Sequence, residues 1–157
     1  MVKSLVERRM VLRGAGVAGA TVLAAAAVPA EASAHPEHHG LLGAWRITHA
    51  DNPPGDTTPV AAVVTFGAGG VFVDQDIAPV APAGVGAWTA HGDRFEVTFW
   101  TGSGDTPADA VTVRVRVHGM LHGDRISGTY RATGFAGAST TVVFGSTGTF
   151  SGWRIVA

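Results

Sequence analysis

Hydrophobic and polar residues alternate with a period of two along most of the chain after Gly40, as in β-strands that bury one face. The clearest run lies between Val111 and Val117, where valine occupies every odd position and threonine or arginine every even one. No stretch of this region has a convincing helical period. The sequence therefore predicts an all-β domain with eight strands, at residues 42–49, 59–66, 70–76, 84–90, 94–101, 110–118, 124–135 and 140–155.

Two kinds of connection alternate between these strands. Tight, glycine-containing turns follow the second, fourth and sixth strands, at residues 67–70, 91–93 and 122–124. The other connections are longer loops at residues 50–58, 77–83, 101–109 and 136–139. Because alternate connections of a meander lie at opposite ends, the pattern predicts an antiparallel up-and-down β-barrel with one shut end and one looped mouth. A two-sheet sandwich is the alternative.

The first and the last predicted strands both carry the sequence Trp-Arg-Ile. Gly43-Ala44-Trp45-Arg46-Ile47 opens the first strand, and Gly152-Trp153-Arg154-Ile155 ends the last. Gly-x-Trp on the first strand with an arginine on the last resembles the signature of lipocalins and other calycins. The segment order is also similar to that of small exported bacterial proteins with lipocalin-like barrels. The resemblance implies that Trp45 plugs the closed end, that Arg154 packs across it, and that the lumen binds an apolar small molecule.

The first 34 residues have a different composition from the rest. A basic head precedes an Ala-rich run at residues 17–28 that is too short for a permanent membrane span, and Ala32-Ser33-Ala34 fits a cleavage site. Arg8-Arg9 resembles the twin-arginine signal, which implies delivery to the twin-arginine translocon; a Sec signal is the alternative. The sequence predicts a secreted or cell-envelope protein, with an export signal at residues 1–34, a flexible mature N-terminus at 35–40 and a barrel at 41–157.

Charge and cysteine content exclude several functions for the part after the signal. It has seven arginines, no lysine and ten acidic residues, for a formal charge of −3. We expect that these residues form no basic patch, which argues against nucleic acid or an anionic membrane as the partner. Cysteine is absent from the chain, so disulfides, thiol catalysis and cysteine metal sites are excluded.

Strand parity selects candidate residues for the lumen. If the valines of residues 111–117 face inward, then Phe95, Val97, Phe99, Ile126 and Tyr130 also do. We expect an apolar ligand to contact the side chains of Trp88, Phe99 and Tyr130, with His49 and Gln75 nearer the mouth. The alternative is a filled barrel, in which these side chains only pack against one another.

No catalytic triad, paired-carboxylate site or phosphate loop stands out. His118 and His122 fit a hairpin turn better than a metal site, and the histidines at residues 35–39 fit a polar tail, so we expect neither metal nor cofactor. Three functions stay open. The first is binding of an apolar small molecule, and the second is a role as a non-catalytic protein-interaction domain. The third is a cofactorless cyclase or isomerase, similar in architecture to allene oxide cyclases and spirotetronate cyclases, in which His49 or Tyr130 moves a proton.

Overall fold

The computed structural model describes residues 40–78, 81–103 and 110–156. They form a closed barrel in which each strand pairs antiparallel with its sequence neighbours and the first strand pairs with the last. The strands are β1 (Gly43–Asp51), β2 (Val60–Phe66), β3 (Val71–Ala78), β4 (Gly84–His91), β5 (Arg94–Ser103), β6 (Val111–His122), β7 (Arg125–Ala136) and β8 (Val142–Arg154). The prediction of an eight-stranded, lipocalin-like barrel is confirmed. The expected export signal and most of the expected flexible N-terminus lie outside the described residues.

The connections alternate between the two ends as the sequence predicts. The β4–β5 and β6–β7 turns are two residues long, and their glycines, Gly92 and Gly123, both have φ of 61°. This backbone conformation matches the twist of a tight hairpin and is open to glycine at little steric cost. A short 3₁₀ helix, Ala68–Gly70, connects β2 to β3. These three turns mark the closed end of the barrel, and the opposite end, at which β1, β3, β5 and β7 finish, is its mouth.

Trp45 fills the closed end and is fully buried. Its indole Nε1 donates a hydrogen bond to the carbonyl oxygen of Leu41 at 2.9 Å, so burial leaves no polar atom of the ring unpaired. The guanidinium carbon of Arg154 lies 4.2 Å from the centre of the Trp45 ring. The barrel is therefore shut by an apolar ring that a cation covers.

Arg154 is also held by hydrogen bonds. Its Nη1 donates to the carbonyl oxygen of Leu42 at 2.7 Å, its Nη2 donates to the carbonyl oxygen of Gly40, and its Nε donates to Oδ1 of Asp124 at 3.0 Å. These contacts tie the segment before β1 and the β6–β7 turn to the end of β8. The closed end is thus cross-linked by one side chain.

The seam between β1 and β8 carries a second tryptophan–arginine pair on the outer face. Trp45 lies opposite Arg154 in the strand register, and Arg46 lies opposite Trp153. Successive side chains of a strand point to opposite faces, so one pair lies inside and the other outside. The Arg46 guanidinium carbon is 5.8 Å from the Trp153 ring centre. The repeated Trp-Arg sequence therefore stabilises both faces of the seam that closes the barrel.

Inward-facing aromatic residues are paired across the strands with glycines. The pairs are Phe95 with Gly119, Phe99 with Gly86, Tyr130 with Gly148, and Phe150 with Gly128. A Cβ atom at any of these glycines would overlap the partner aromatic residue. Each of these aromatic residues therefore packs against the bare backbone of its neighbouring strand, although the Phe95 ring also meets the Phe66 ring of β2 across the barrel. This packing leaves space in the half of the lumen nearer the mouth.

Candidate functional site

A cavity of about 300 Å³ occupies the lumen on the side of the mouth. Its walls are mostly aliphatic and aromatic, whereas its rim contains carboxylates, hydroxyls and one imidazole. The apolar lining residues are Ile47, Ala50, Val60, Val64, Phe66, Phe72, Phe95, Val97, Phe99, Val115, Val117, Ile126, Ala132 and Phe150. The polar lining residues are His49, Asp51, Asp56, Thr58, Asp74, Asp76, Thr101 and Tyr130.

A histidine and an aspartate form an ion pair across β2, at the rim of this cavity. His49 on β1 and Asp76 on β3 approach with 3.1 Å between Nε2 and Oδ1, and their side chains are 25% and 22% exposed. The hydrogen bond to Asp76 raises the pKa of His49, and this effect outweighs the opposing effect of burial. The ion pair therefore stabilises the imidazolium form of His49 more than water stabilises that of a free histidine.

Asp74 lies two residues before Asp76 and faces the same cavity. Burial raises the pKa of Asp74 to about 6, and the negative charge of Asp76 acts in the same direction. No hydrogen bond to the Asp74 side chain occurs among the described residues. This carboxyl group consequently exchanges its proton close to neutral pH, unlike an ordinary surface aspartate.

A tyrosine and an aspartate form the second polar pair of the rim. The Tyr130 hydroxyl donates a hydrogen bond to Oδ1 of Asp51 at 2.6 Å. Burial, followed by this hydrogen bond, raises the pKa of Tyr130, so the phenol stays protonated. The rings of Tyr130 and His49 meet edge to face, with 5.8 Å between their centres. The two polar pairs are therefore adjacent at one side of the rim.

The rim carries four carboxyl groups and one imidazole, and neither lysine nor arginine lines the cavity among the described residues. Such a rim accepts hydrogen bonds and favours cationic or hydrogen-bond-donating groups. Histidine and carboxylates are also common metal ligands. However, residues 40–78, 81–103 and 110–156 contain no group of three or more such side chains placed to hold a metal ion.

Three of the five residues proposed from sequence to contact a ligand lie in the cavity wall: His49, Phe99 and Tyr130. Trp88 is instead packed at the closed end, 7% exposed, with its Nε1 donating to the carbonyl oxygen of Gly67 at 3.0 Å. Gln75 donates to the carbonyl oxygens of Asp76 and Ala81 and does not line the cavity. Contact of the first three with a ligand stays a prediction.

All four aspartates of the rim, Asp51, Asp56, Asp74 and Asp76, were missed by reasoning from sequence. Asp74 and Asp76 have the parity of the buried Phe72, which was the only signal for them. The alternate face of β3 carries Val71, Val73 and Ile77 and is the more apolar one, yet these side chains are 36–50% exposed. Strand β3 thus turns its carboxylates inward and its aliphatic side chains outward, the reverse of the usual arrangement.

Comparison of the chain with protein-family models, with curated proteins and with solved structures found no match. In the part of the chain that the structure describes, no helix has the length and apolar character needed to cross a membrane. The function must therefore be inferred from the geometry of the cavity and its rim.

Proposed function

We propose that this barrel binds one small, largely apolar molecule in its lumen. The observation that carries the proposal is the cavity of about 300 Å³, which has apolar walls and a polar rim on the side of the mouth. Small-molecule sites commonly combine apolar walls with a few polar groups that fix orientation. The volume lies at the lower end of the usual range of about 300–1,000 Å³, which favours a compact ligand.

The division between walls and rim suggests how the ligand is oriented. Phe66, Phe95 and Phe99 supply buried aromatic surface deep in the cavity, where an apolar end gains most from leaving water. His49–Asp76 and Tyr130–Asp51 lie at the rim, where a polar end would meet mainly acceptor oxygens. We therefore propose a ligand whose apolar body is buried and whose polar end donates hydrogen bonds toward the mouth.

The proposal is tested by filling the lumen without changing the outside. Val115 lines the cavity, so Val115→Trp should occupy it, whereas Thr89 lies on the outer face of β4 and gives the matched control Thr89→Trp. An apolar naphthalene dye should bind the unchanged protein with increased fluorescence. Val115→Trp should weaken its binding by roughly tenfold or more, equivalent to about 1.4 kcal/mol, and Thr89→Trp should leave it unchanged. Equal affinities in all three proteins would exclude binding in the lumen.

A cofactorless isomerase or cyclase is a second candidate, favoured by the two adjacent polar pairs. His49 with Asp76 and Tyr130 with Asp51 supply groups that can accept and donate protons at the edge of an apolar cavity. A catalyst of this kind should speed exchange of the α-protons of a small apolar ketone, such as 2-indanone, in deuterated water. His49→Gln should abolish that exchange while dye binding persists. Exchange at the rate of buffer alone would leave only the binding function.

We also propose, from the sequence, that the chain is exported by the twin-arginine route. Arg8 and Arg9 precede the Ala-rich run, and the translocon requires the paired guanidinium groups. Replacing both by lysine keeps the charge and should abolish export, measured as loss of the mature protein from the extracellular or periplasmic fraction. Undiminished export of the double-lysine variant would point to the Sec route.

A further inference from the structure

Three arginines and a threonine surround a hollow of about 210 Å³ on the outer face of β6 and β7. They are Arg114, Arg116, Arg131 and Thr133, called the arginine cluster below. The sequence contains no run of basic residues, and the cluster arises from strand register: Arg116 lies directly opposite Arg131, and Arg114 lies opposite Thr133. The neighbouring Val115 and Val117 line the lumen, so the cluster is separated from the cavity by the barrel wall. The expectation that no basic patch forms is therefore wrong for this face.

Arg114 is held in place by two aromatic rings. Its guanidinium carbon lies 5.8 Å from the Trp100 ring centre and 5.4 Å from the Phe135 ring centre. Its Nε is buried and has no hydrogen-bond partner. A cation fixed in this way loses little side-chain entropy when it binds an anion. The aromatic contacts thus fix the position of the Arg114 guanidinium at the hollow before an anion binds.

The positions of the charges in the arginine cluster destabilise the sheet. Like charges directly opposite each other on neighbouring strands repel, and Arg116 and Arg131 occupy that position. Among the residues that the structure describes, none of the three arginines forms an ion pair with a carboxylate, although acidic residues outnumber basic ones after residue 34. Positions that break a local rule of folding without compensation are often functional. An anion in the hollow would relieve the repulsion.

We propose that the arginine cluster binds a phosphate group. The planar guanidinium donates two parallel hydrogen bonds to phosphate oxygens, and several such groups together match a doubly charged tetrahedral anion better than a carboxylate. The hydroxyl of Thr133 adds a further donor at the edge of the hollow. The group could be free phosphate or the headgroup of a phospholipid, because both present the same oxygens to the arginines.

The experiment measures phosphate binding by titration calorimetry, with potassium chloride at equal ionic strength as the reference. Arg116→Gln and Arg131→Gln remove exposed arginines of the cluster, while Arg125→Gln removes an exposed arginine outside it. Arg114 is left unchanged, since its packing between two rings makes its replacement prone to unfold the sheet. Either cluster variant should bind phosphate at least about tenfold more weakly, and Arg125→Gln should bind as the unchanged protein does.

Thermal melting gives an independent readout of the same variants. Without phosphate, Arg116→Gln and Arg131→Gln should melt at the same temperature as the unchanged protein or higher, because the repulsion is removed. Phosphate should raise the melting temperature of the unchanged protein and of Arg125→Gln, but not of the cluster variants. A residue with a merely structural role would instead lower the melting temperature when replaced.

A second arm separates the two sources of phosphate. Sedimentation with phosphatidylcholine vesicles, with and without phosphatidic acid, reports binding to a lipid headgroup. Binding of inorganic phosphate or of phosphatidic acid vesicles, weakened by both cluster variants, supports the proposal and identifies the source. The proposal is overturned if neither source binds, or if the Arg125→Gln control weakens binding as much as the cluster variants do. Dye binding in the lumen is measured separately, so this result does not depend on the proposed function.

Discussion

The two ends of the barrel use polar side chains in opposite ways. At the closed end, Arg154 lies over Trp45 and makes three hydrogen bonds, and its contacts hold the β1–β8 seam and the chain before β1 together. At the mouth, four carboxyl groups and one imidazole share a small rim, and Asp74 there has no hydrogen-bonded partner among the described residues. The polar side chain at the closed end is fully hydrogen-bonded, whereas the carboxyl groups at the mouth lie close together.

This difference separates stability from function within a single sheet. Polar groups that are buried and fully paired stabilise a fold, whereas a buried carboxyl group whose pKa is raised, such as Asp74, destabilises it at neutral pH. A protein retains such crowding where the groups face a ligand, as ligand-binding sites are often built at the expense of stability. The comparison therefore predicts that substitutions at the closed end destabilise the barrel and that neutralising Asp74, the carboxyl group of the mouth without a hydrogen bond among the described residues, stabilises it.

The largest effect is expected at the closed end, for Arg154→Ala. This change removes the contact with Trp45, worth about 0.5–2 kcal/mol, together with hydrogen bonds that include those to the Leu42 carbonyl oxygen and Asp124. We expect a loss of about 2–4 kcal/mol in the free energy of unfolding and a fall of roughly 10 °C in melting temperature. Urea unfolding followed by tryptophan fluorescence measures the loss of unfolding free energy, and thermal melting measures the fall in melting temperature.

Two further variants decide which feature of Arg154 matters. Arg154→Lys keeps the charge but not the planar fork, and should recover less than half of the stability lost in Arg154→Ala. Arg94→Ala removes an exposed arginine at the start of β5 and should change the unfolding free energy by no more than about 0.5 kcal/mol. If Arg154→Ala and Arg94→Ala lower the unfolding free energy equally, the contacts of Arg154 do not stabilise the closed end.

The closed end was also the part of the fold that the sequence predicted best. Tight turns depend on local chemistry, so the glycines at positions 92 and 123 located the turns directly. Alternation along β5 and β6 assigned the inward faces, because one face of each strand is plainly more apolar than the other. The seam was predictable from the two Trp-Arg sequences, although only the inner pair was foreseen and the Arg46–Trp153 pair on the outer face was not.

The mouth was predicted only in part, for two physical reasons. The outward face of strand β3 is its more apolar one, so the period of the strand favoured an outward position for Asp74 and Asp76. The cavity in the lumen depends on the register between strands, which places Gly148 opposite Tyr130 and Gly119 opposite Phe95. A single sequence contains the glycines but not their cross-strand partners. His49 and Tyr130 were found because each shares a face with an unambiguous apolar neighbour.

The second prediction concerns Asp74 and the dependence of stability on pH. Its pKa is about 6 in the folded protein, against an ordinary aspartate value of 3.8 in an unfolded chain, so the folded state binds more protons between these values. Stability should therefore fall as pH rises from about 4 to 7 and change little from this group below pH 4. Asp74→Asn removes the buried charge and should stabilise the protein at pH 7 by roughly 1–2 kcal/mol, with no gain at pH 4.

His49 contributes in the same direction and must be separated from Asp74. Its raised pKa gives stability that is present below about 6.5 and is lost as pH rises through the folded value. Asp74→Asn should thus flatten the stability curve between pH 4 and 6 and leave a smaller loss above pH 6.5, because the charge of Asp74 itself helps to raise the pKa of His49. Asp93→Asn, in the exposed β4–β5 turn, is the matched control and should leave the curve unchanged. A destabilised Asp74→Asn at pH 7 would contradict the proposed contrast between the two ends.

The smallest effect is expected for Tyr130→Phe, which removes one hydroxyl from the rim and leaves the ring in place against Gly148. The lost hydrogen bond to Asp51 should lower the unfolding free energy by about 0.5–1.5 kcal/mol, less than Arg154→Ala, because water can reach the partly exposed carboxylate. The double variant Tyr130→Phe with Asp51→Asn should cost less than the sum of the two single changes, which measures the pair itself. Gly148→Ala serves as the steric counterpart: its Cβ would overlap the Tyr130 ring and push it into the cavity, so dye affinity should fall more in this variant than in Tyr130→Phe. If Tyr130→Phe instead destabilises the barrel as strongly as Arg154→Ala, the mouth contributes to stability as much as the closed end, and its polar pairs need no ligand to explain them.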